Sequence, residues 1–369
     1  MKRLSNTNAI LLLIAFYLPL AAQEDNAGPD RWTPEDIIHT EYLGSPVFSP
    51  KADMVAWTKR RGVKEKDKFV NDLYLTRLDL TKDGQFRTFR LTNADESDSS
   101  PLFSRDGETI YFLSSRDKGK KLWSLSIYGG EPTEVHEFET GISSLQWLND
   151  STLTYVSEEG QTLYEQKLKE KKDNTVVVED SIHWDIKRVY SFDLETKQST
   201  RLTQNEYPVS GYEVSRDGKW LLYYQQMSPH YPADAQPDPQ YFLLNLESGE
   251  QRRILQGLQT PYNFQFTEDN SGFYFAAVFS SDPEWNGAGI SEIYYYNLSE
   301  QAFDKVDLQW EWATEGDFYV VGNDFIASLA NGPTRKLAFY RKSGDSWNKS
   351  DIDLGDKNEH IYVSAVDKD

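Results

Sequence analysis

Few residues of this 369-residue chain combine the types and spacings that chemistry requires. The five histidines, His39, His136, His183, His230 and His360, are scattered, and none pairs with another at a catalytic or metal-binding spacing. Only His183 has chemically notable neighbours: in SIHWD it is followed by Trp184 and Asp185. An imidazole beside an indole and a carboxylate can contact a polar substrate, or it can make a structural hydrogen bond. On the first reading, His183, Trp184 and Asp185 are the candidate substrate-binding residues. Glu158 and Glu159 could grip an amine, although acidic pairs are commonly solvated turn residues.

The remaining motif search is negative. There is no Gly-x-Ser-x-Gly elbow, no His-Glu-x-x-His, no phosphate loop and no EF-hand pattern. The chain has no cysteine, which excludes disulfides, thiolate metal sites and a lipid-bearing cysteine at a cleavage site. No catalytic residue, metal ligand or cofactor is assigned. The net charge of −20 argues against binding a nucleic acid backbone, which needs Lys and Arg. It is compatible with a cationic partner such as a peptide amino terminus, or with solvation alone.

The elements that would position these residues are repeated. In FSRDGETIYFLSSRD (103–117) a strand ends at Phe103, Ser104–Gly107 turn the chain, and a second strand TIYFLSS follows. KLWSLSI and TEVHEF complete a unit of four short strands, with YGGEP as a turn between them. The same turn recurs after Phe48, Trp147, Val214, Phe266 and, in a weaker copy, Val320. Four strands per roughly 40–50 residues describe propeller blades, of the kind found in TolB and WD40 repeats. A two-sheet sandwich would not repeat one turn in one place. The expected fold is all-β: a β-propeller with six complete four-stranded blades and the start of a seventh.

Strands run antiparallel within a blade, so the loops between second and third strands should emerge on one rim. The length variation falls there: KRRGVKEKDKFVN in blade 1, residues 158–188 in blade 3, MSPHYPADAQPDP in blade 4 and SSDPEWNGAG in blade 5. Ahead of blade 1, RWTPEDIIHTEYLG carries helix signals: Thr33 as cap, Pro34 at the first position, Glu35 and Asp36 in the first turn.

Both termini carry expectations of their own. Lys2 and Arg3, the apolar run AILLLIAFYLPL and the small pair Ala21–Ala22 predict a signal peptide over residues 1–22, cleaved between Ala22 and Gln23. The apolar run is too short to span a bilayer comfortably, so the mature form is expected to have no membrane span. Residues 23–44 then form an amino-terminal segment with the short helix, and 45–369 the propeller. At the other end, Val366–Asp369 align with Phe103–Asp106, and the chain stops inside a turn. The expectation is a chain cut short in a seventh blade. The alternative is a closing strand of blade 6.

RWTPEDIIHTEYLGSPVFSP, SSPLFSRDGETIYFLSSRDKGKKLWSLSIYGGEP and SIHWDIKRVYSFDLETKQSTRLT together resemble the amino-terminal propeller of exported serine peptidases of the prolyl oligopeptidase family (S9). The likeness is to the dipeptidyl-peptidase and acylaminoacyl-peptidase branch. It implies a seven-bladed propeller followed by an α/β-hydrolase domain that carries Ser, Asp and His, with the propeller screening peptide substrates by size. None of the triad positions exists here, and the family's acidic amino-terminus-binding motif has no match. The resemblance implies a periplasmic or secreted protein whose partners are peptide substrates and a missing carboxyl-terminal hydrolase domain. A stand-alone TolB-like propeller that binds other periplasmic proteins is the alternative.

Overall fold

The protein is described from a computed structural model over residues 32–82, 85–116, 121–159, 169–172, 186–228, 231, 236–282, 289–355 and 363. The chain divides at Thr40 and Glu41 into two units. In the first, α1 (Pro34–Ile38) forms as its sequence signals predict. The Thr33 hydroxyl accepts from the Asp36 N–H at 3.2 Å, and the Asp36 carboxylate accepts from the Thr33 N–H at 2.8 Å. This closes a capping box on two otherwise unpaired donors.

The second unit is a β-propeller of six four-stranded antiparallel blades. Blade 1 comprises β1 (Tyr42–Phe48), β2 (Met54–Val63), β3 (Lys68–Lys82) and β4 (Gln85–Arg90). Blade 2 comprises β5 (Asp98–Phe103), β6 (Thr109–Ser114), β7 (Lys121–Ser126) and β8 (Thr133–Glu137). Blade 3 comprises β9 (Ile142–Trp147), β10 (Thr152–Glu158), β11 (Lys187–Asp193) and β12 (Ser199–Arg201). Blade 4 comprises β13 (Val209–Val214), β14 (Trp220–Gln225), β15 (Gln240–Asn245) and β16 (Gln251–Ile254). Blade 5 comprises β17 (Gln259–Phe266), β18 (Gly272–Phe279), β19 (Ile290–Asn297) and β20 (Ala302–Lys305). Blade 6 comprises β21 (Thr314–Val321), β22 (Asp324–Asn331), β23 (Thr334–Ser343) and β24 (Ser346–Ile352). One bridge, Ser291 to Thr314, joins the sheets of blades 5 and 6.

The anchors Phe48, Phe103, Trp147, Val214 and Phe266 close their inner strands, and Val320 stands one residue before the end of β21. The recurring turn has a chemical reason. In blade 2 the Ser104 hydroxyl accepts the Thr109 N–H and donates to Asp106, whose carboxylate accepts the Glu108 N–H. Ser215 and Asp217 repeat this arrangement in blade 4, and Thr267 and Asp269 repeat it in blade 5. A hydroxyl followed two residues later by a carboxylate thus satisfies the donors that a tight hairpin leaves unpaired.

These turns also touch their neighbours around the ring. A Cβ at Gly218, which has φ +70, would come 2.4 Å from the Leu148 carbonyl of blade 3. The Asp217 N–H donates to Asn270, and the Asp269 N–H donates to Asn323. Apolar clusters between consecutive blades make up the core; Phe275 and Phe273 anchor the one between blades 4 and 5, and Tyr274, Phe318 and Phe325 the one between blades 5 and 6.

One expected loop is not a loop. KRRGVKEKDKFVN continues the sheet: Arg61, Gly62 and Val63 pair with Val70, Phe69 and Lys68, and only Lys64–Lys66 form a 3-10 turn. The charged residues hid the alternation, which buries Val70 and Asp72 on one side. The stems of the other insertions, 159 and 186, 228 and 236, 282 and 289, leave the same end of their blades as this hairpin does, opposite the Ser-x-Asp turns.

Candidate functional site

The inner strands of all six blades surround a cavity of about 680 Å³. Small-ligand sites typically measure roughly 300–1,000 Å³. The residue just before each anchor faces this cavity: Val47, Leu102, Gln146, Glu213, Gln265 and Tyr319. At this one position the wall is apolar in blades 1 and 2 and polar in blades 3 to 6.

The polar side chains also tie blade to blade. Gln146 donates through Nε2 to the Tyr212 carbonyl and the Glu213 carboxylate, both at 3.1 Å, and its Oε1 accepts the Val214 N–H at 3.1 Å. Gln265 repeats the tie one pair of blades on, donating to the Phe318 carbonyl at 2.8 Å and accepting the Val320 N–H at 2.9 Å. Tyr319 occupies the equivalent position in blade 6, and its hydroxyl donates to the Val363 carbonyl at 2.7 Å. Tyr212 adds a further link from blade 4 to blade 3: its hydroxyl donates to the Ser144 carbonyl and stands 3.0 Å from the Thr154 hydroxyl. Burial pushes its phenol far above the ordinary value. These ties hold the side chains of the wall in fixed positions.

Sequence reasoning missed these residues, although the signal exists. Once the anchors are aligned, Gln-Trp, Gln-Phe and Tyr-Val stand in register at 146–147, 265–266 and 319–320.

At the opposite end from the Ser-x-Asp turns, carboxylates are held by arginines. Asp72, 1% exposed, accepts from Arg61 at 2.8 Å and Arg90 at 2.7 Å. Asp98, fully buried, takes both of its bonds from Arg116, at 2.6 and 2.8 Å. Glu159 lies between Arg188 and Arg201. Burial raises its carboxyl, but the hydrogen bonds and charges of the two guanidinium groups outweigh this and hold it below the ordinary range. Glu159 therefore braces blade 3, and Glu158 stands 4.0 Å from Lys187.

His183, Trp184 and Asp185 lie outside the described residues, as do the cleavage pair Ala22 and Gln23 and the terminal Val366–Asp369. Of the histidines that are described, His39 faces Glu35 at 3.8 Å, while His136 packs against Phe138 and Phe192 with its pKa lowered by burial. Among the described residues no three of His, Asp and Glu stand close enough together to hold a metal ion. No helix among them is long and apolar enough to cross a membrane.

No family model matches the chain. An uncharacterised peptidase of Bacillus subtilis (strain 168), YuxL, is 23% identical over 205 residues, covering 52% of this chain and 30% of its own length. The acylaminoacyl peptidase of Pyrococcus horikoshii superposes with a TM-score of 0.58 at 13% identity, over 88% of this chain and 48% of that one. An oligogalacturonate lyase in complex with manganese superposes with a TM-score of 0.56 at 13% identity, over 83% of this chain and 76% of that one. The chain thus spans about a third of the curated relative and about half of the acylaminoacyl peptidase. Its described residues form six four-stranded blades of a β-propeller, similar in fold to a part of a known peptidase.

Proposed function

We propose that this chain is the non-catalytic propeller part of an exported serine exopeptidase that acts on short peptides. It screens and positions substrate for an α/β-hydrolase domain beyond the residues present here. The observation that carries this reading is the cavity lined by residues from all six blades. A cavity of about 680 Å³ is in the size range of small-ligand sites and far smaller than a folded protein. The similarity to part of an acylaminoacyl peptidase and to a peptidase of Bacillus subtilis supports it.

The end blades support it as well. Apolar clusters among the described residues join blades 1 to 2 and so on to blades 5 and 6. The face of blade 1 turned away from blade 2 carries half-buried Trp57, Tyr74 and Thr76, and the outward face of blade 6 carries half-buried Ile326 and Phe339. Tyr319 already holds the Val363 carbonyl where a next inner strand would stand. A seventh blade would cover both faces. Export rests on the basic start, the short apolar run and Ala21–Ala22.

Serine peptidase chemistry needs a nucleophile, a base and oxyanion donors in mutual reach. Residues 23–369 and the reading frame extended past Asp369 are to be assayed side by side on dipeptidyl and acyl-aminoacyl chromogenic substrates, with a serine-directed inhibitor. The short chain is expected to be inert and the long one active. Removing nucleophile and base together typically costs about 10⁶-fold in rate. Inhibitor-sensitive turnover by the short chain overturns the proposal. An inert long chain lacking Gly-x-Ser-x-Gly favours a stand-alone binding propeller.

A further inference from the structure

The cavity has a charge pattern unlike that of the chain around it. Its lining includes two cations, Arg105 and Arg216, and one carboxylate, Glu213, in a chain of net charge −20. Glu213 is already engaged, since it accepts from Gln146 at 3.1 Å. Both arginines stand two residues past an anchor, in the Ser-x-Asp turns of blades 2 and 4. At the same position the other blades carry Pro50, Asn149, Glu268 and Gly322. The cations therefore stand at the turn end of the cavity, where Ser49, Ser104 and Ser215 also line it.

Arg105 differs from the arginines at the opposite end of the blades. There Arg61, Arg90 and Arg116 each hold a carboxylate at 2.6 to 2.8 Å. Among the described residues the nearest acid to Arg105 is Asp150, 3.9 Å away and 97% exposed. That is beyond hydrogen-bond length, so the fork keeps its donors. It lies over the Trp147 ring, 5.9 Å from the centroid, and Trp147 is itself fixed by its indole N–H on the Phe103 carbonyl at 2.7 Å. A guanidinium fork takes a carboxylate through two parallel N–H···O bonds.

We propose that Arg105 binds the carboxylate of a small organic ligand in this cavity, and that for a peptide this is the free carboxyl terminus. The inference rests on the reading of the cavity as a site for short peptides. Apart from the three charged side chains, the lining is neutral, and Val47, Leu102, Leu145 and Phe264 give it apolar surface. An organic body attached to the anion gains from that surface, and a bare inorganic ion does not.

Calorimetric titration of the full chain with tetra-alanine, as the free acid and as the carboxyl-terminal amide, tests this. The acid is expected to bind about tenfold or more tighter than the amide, as a charge-assisted pair implies. The net charge of −20 favours the more cationic amide everywhere else, so a preference for the acid reports a local cation. Arg105→Gln should lower the acid to the affinity of the amide and leave the amide unchanged. Arg87→Gln, on β4 and outside the cavity, should alter neither. Equal affinities for acid and amide, or a preference that survives Arg105→Gln, overturn the proposal and leave the peptide reading of the cavity standing. Inorganic phosphate that displaces the acid at equal concentration also overturns it, because the site then takes any anion. If neither peptide binds, the peptide reading fails and this inference falls with it.

Discussion

Blade 5 and blade 1 have the same four-stranded topology and opposite patterns of burial. In β18 six consecutive residues, Gly272–Ala277, are buried, so both faces of the sheet are covered. In β2, Met54, Ala56 and Thr58 are buried while Val55, Trp57 and Lys59 are only half-buried. A strand buried on both faces reads as a continuous apolar run, and a strand buried on one face alternates. The difference follows from position in the array. Blade 5 lies between two partners. Blade 1 packs against blade 2 through Ala56, Leu75 and Ile110 and closes its other face with a stacked Trp57–Tyr74 pair, Lys59 over the Tyr74 ring, and the Thr76–Thr88 hydrogen bond. Terminal units of repeat proteins commonly carry such a semi-polar outer face.

The largest expected effect breaks the covered blade. Phe275 is fully buried, stacked on Tyr294 at 5.3 Å and close to Phe264 and Phe303. Phe275→Ala should cost about 3–5 kcal/mol, the usual range for a large aromatic removed from a core. Equilibrium urea unfolding measures it. A cost below about 1 kcal/mol would mean that blade 5 is not packed from both sides.

A smaller effect sharpens the contrast. Trp57 stacks on Tyr74 at 4.7 Å and donates to Thr76 at 2.9 Å, yet its face is only half covered. Trp57→Ala should cost about 1–2 kcal/mol in the same assay. If it costs as much as Phe275→Ala, the outer face of blade 1 is as fully packed as blade 5, and the contrast fails. If the extended chain adds a blade on that face, the cost there should rise toward that of Phe275→Ala.

This contrast between blades could be read in part from residues alone. GFYFAAVF is apolar throughout, and MVAWTKRRGV alternates, so the two burial patterns are visible before any folding. The anchors and the Ser-x-Asp turn were legible because one local chemistry recurs, and a turn is satisfied by residues within a few positions of it. The ties made by Gln146, Gln265 and Tyr319 were not, because they reach residues distant in sequence and mostly backbone, so that only an alignment of the anchors brings out the repeated residue types. The β2–β3 hairpin was misread as an insertion because KRRGVKEKDK is rich in charge, although Arg60 lies over the Phe69 ring at 3.9 Å and Arg61 reaches Asp72. The candidate site fared worse than the fold: the cavity-facing residues were not singled out, and His183, Trp184 and Asp185 lie where no geometry is described.

The smallest expected effect concerns the turns, where blades 2 and 5 share one chemistry at different depth. At Asp106 the Ser104 hydroxyl, followed by the Glu108 N–H, lowers the carboxyl pKa almost without burial. At Asp269 burial is the largest single influence and raises the pKa, but the Ser271 N–H and hydroxyl and the Thr267 hydroxyl together outweigh it, and the net shift is again downward. A carboxyl whose folded value lies below its unfolded value of 3.8 stabilises the fold at pH above 3.8. That stabilisation is lost as the pH falls through the lower folded value, when the protonated acid stops accepting the turn donors. Both turns should therefore weaken only in acid, below about pH 4. Asp269→Asn and Asp106→Asn should each lower stability slightly at pH 7 and flatten its decline in acid, with the larger change at Asp269, whose turn also holds Asn323 of blade 6. Urea midpoints measured at intervals from pH 7 to pH 3 test this. An acid decline unchanged by either substitution would place the acid-sensitive groups outside these two turns.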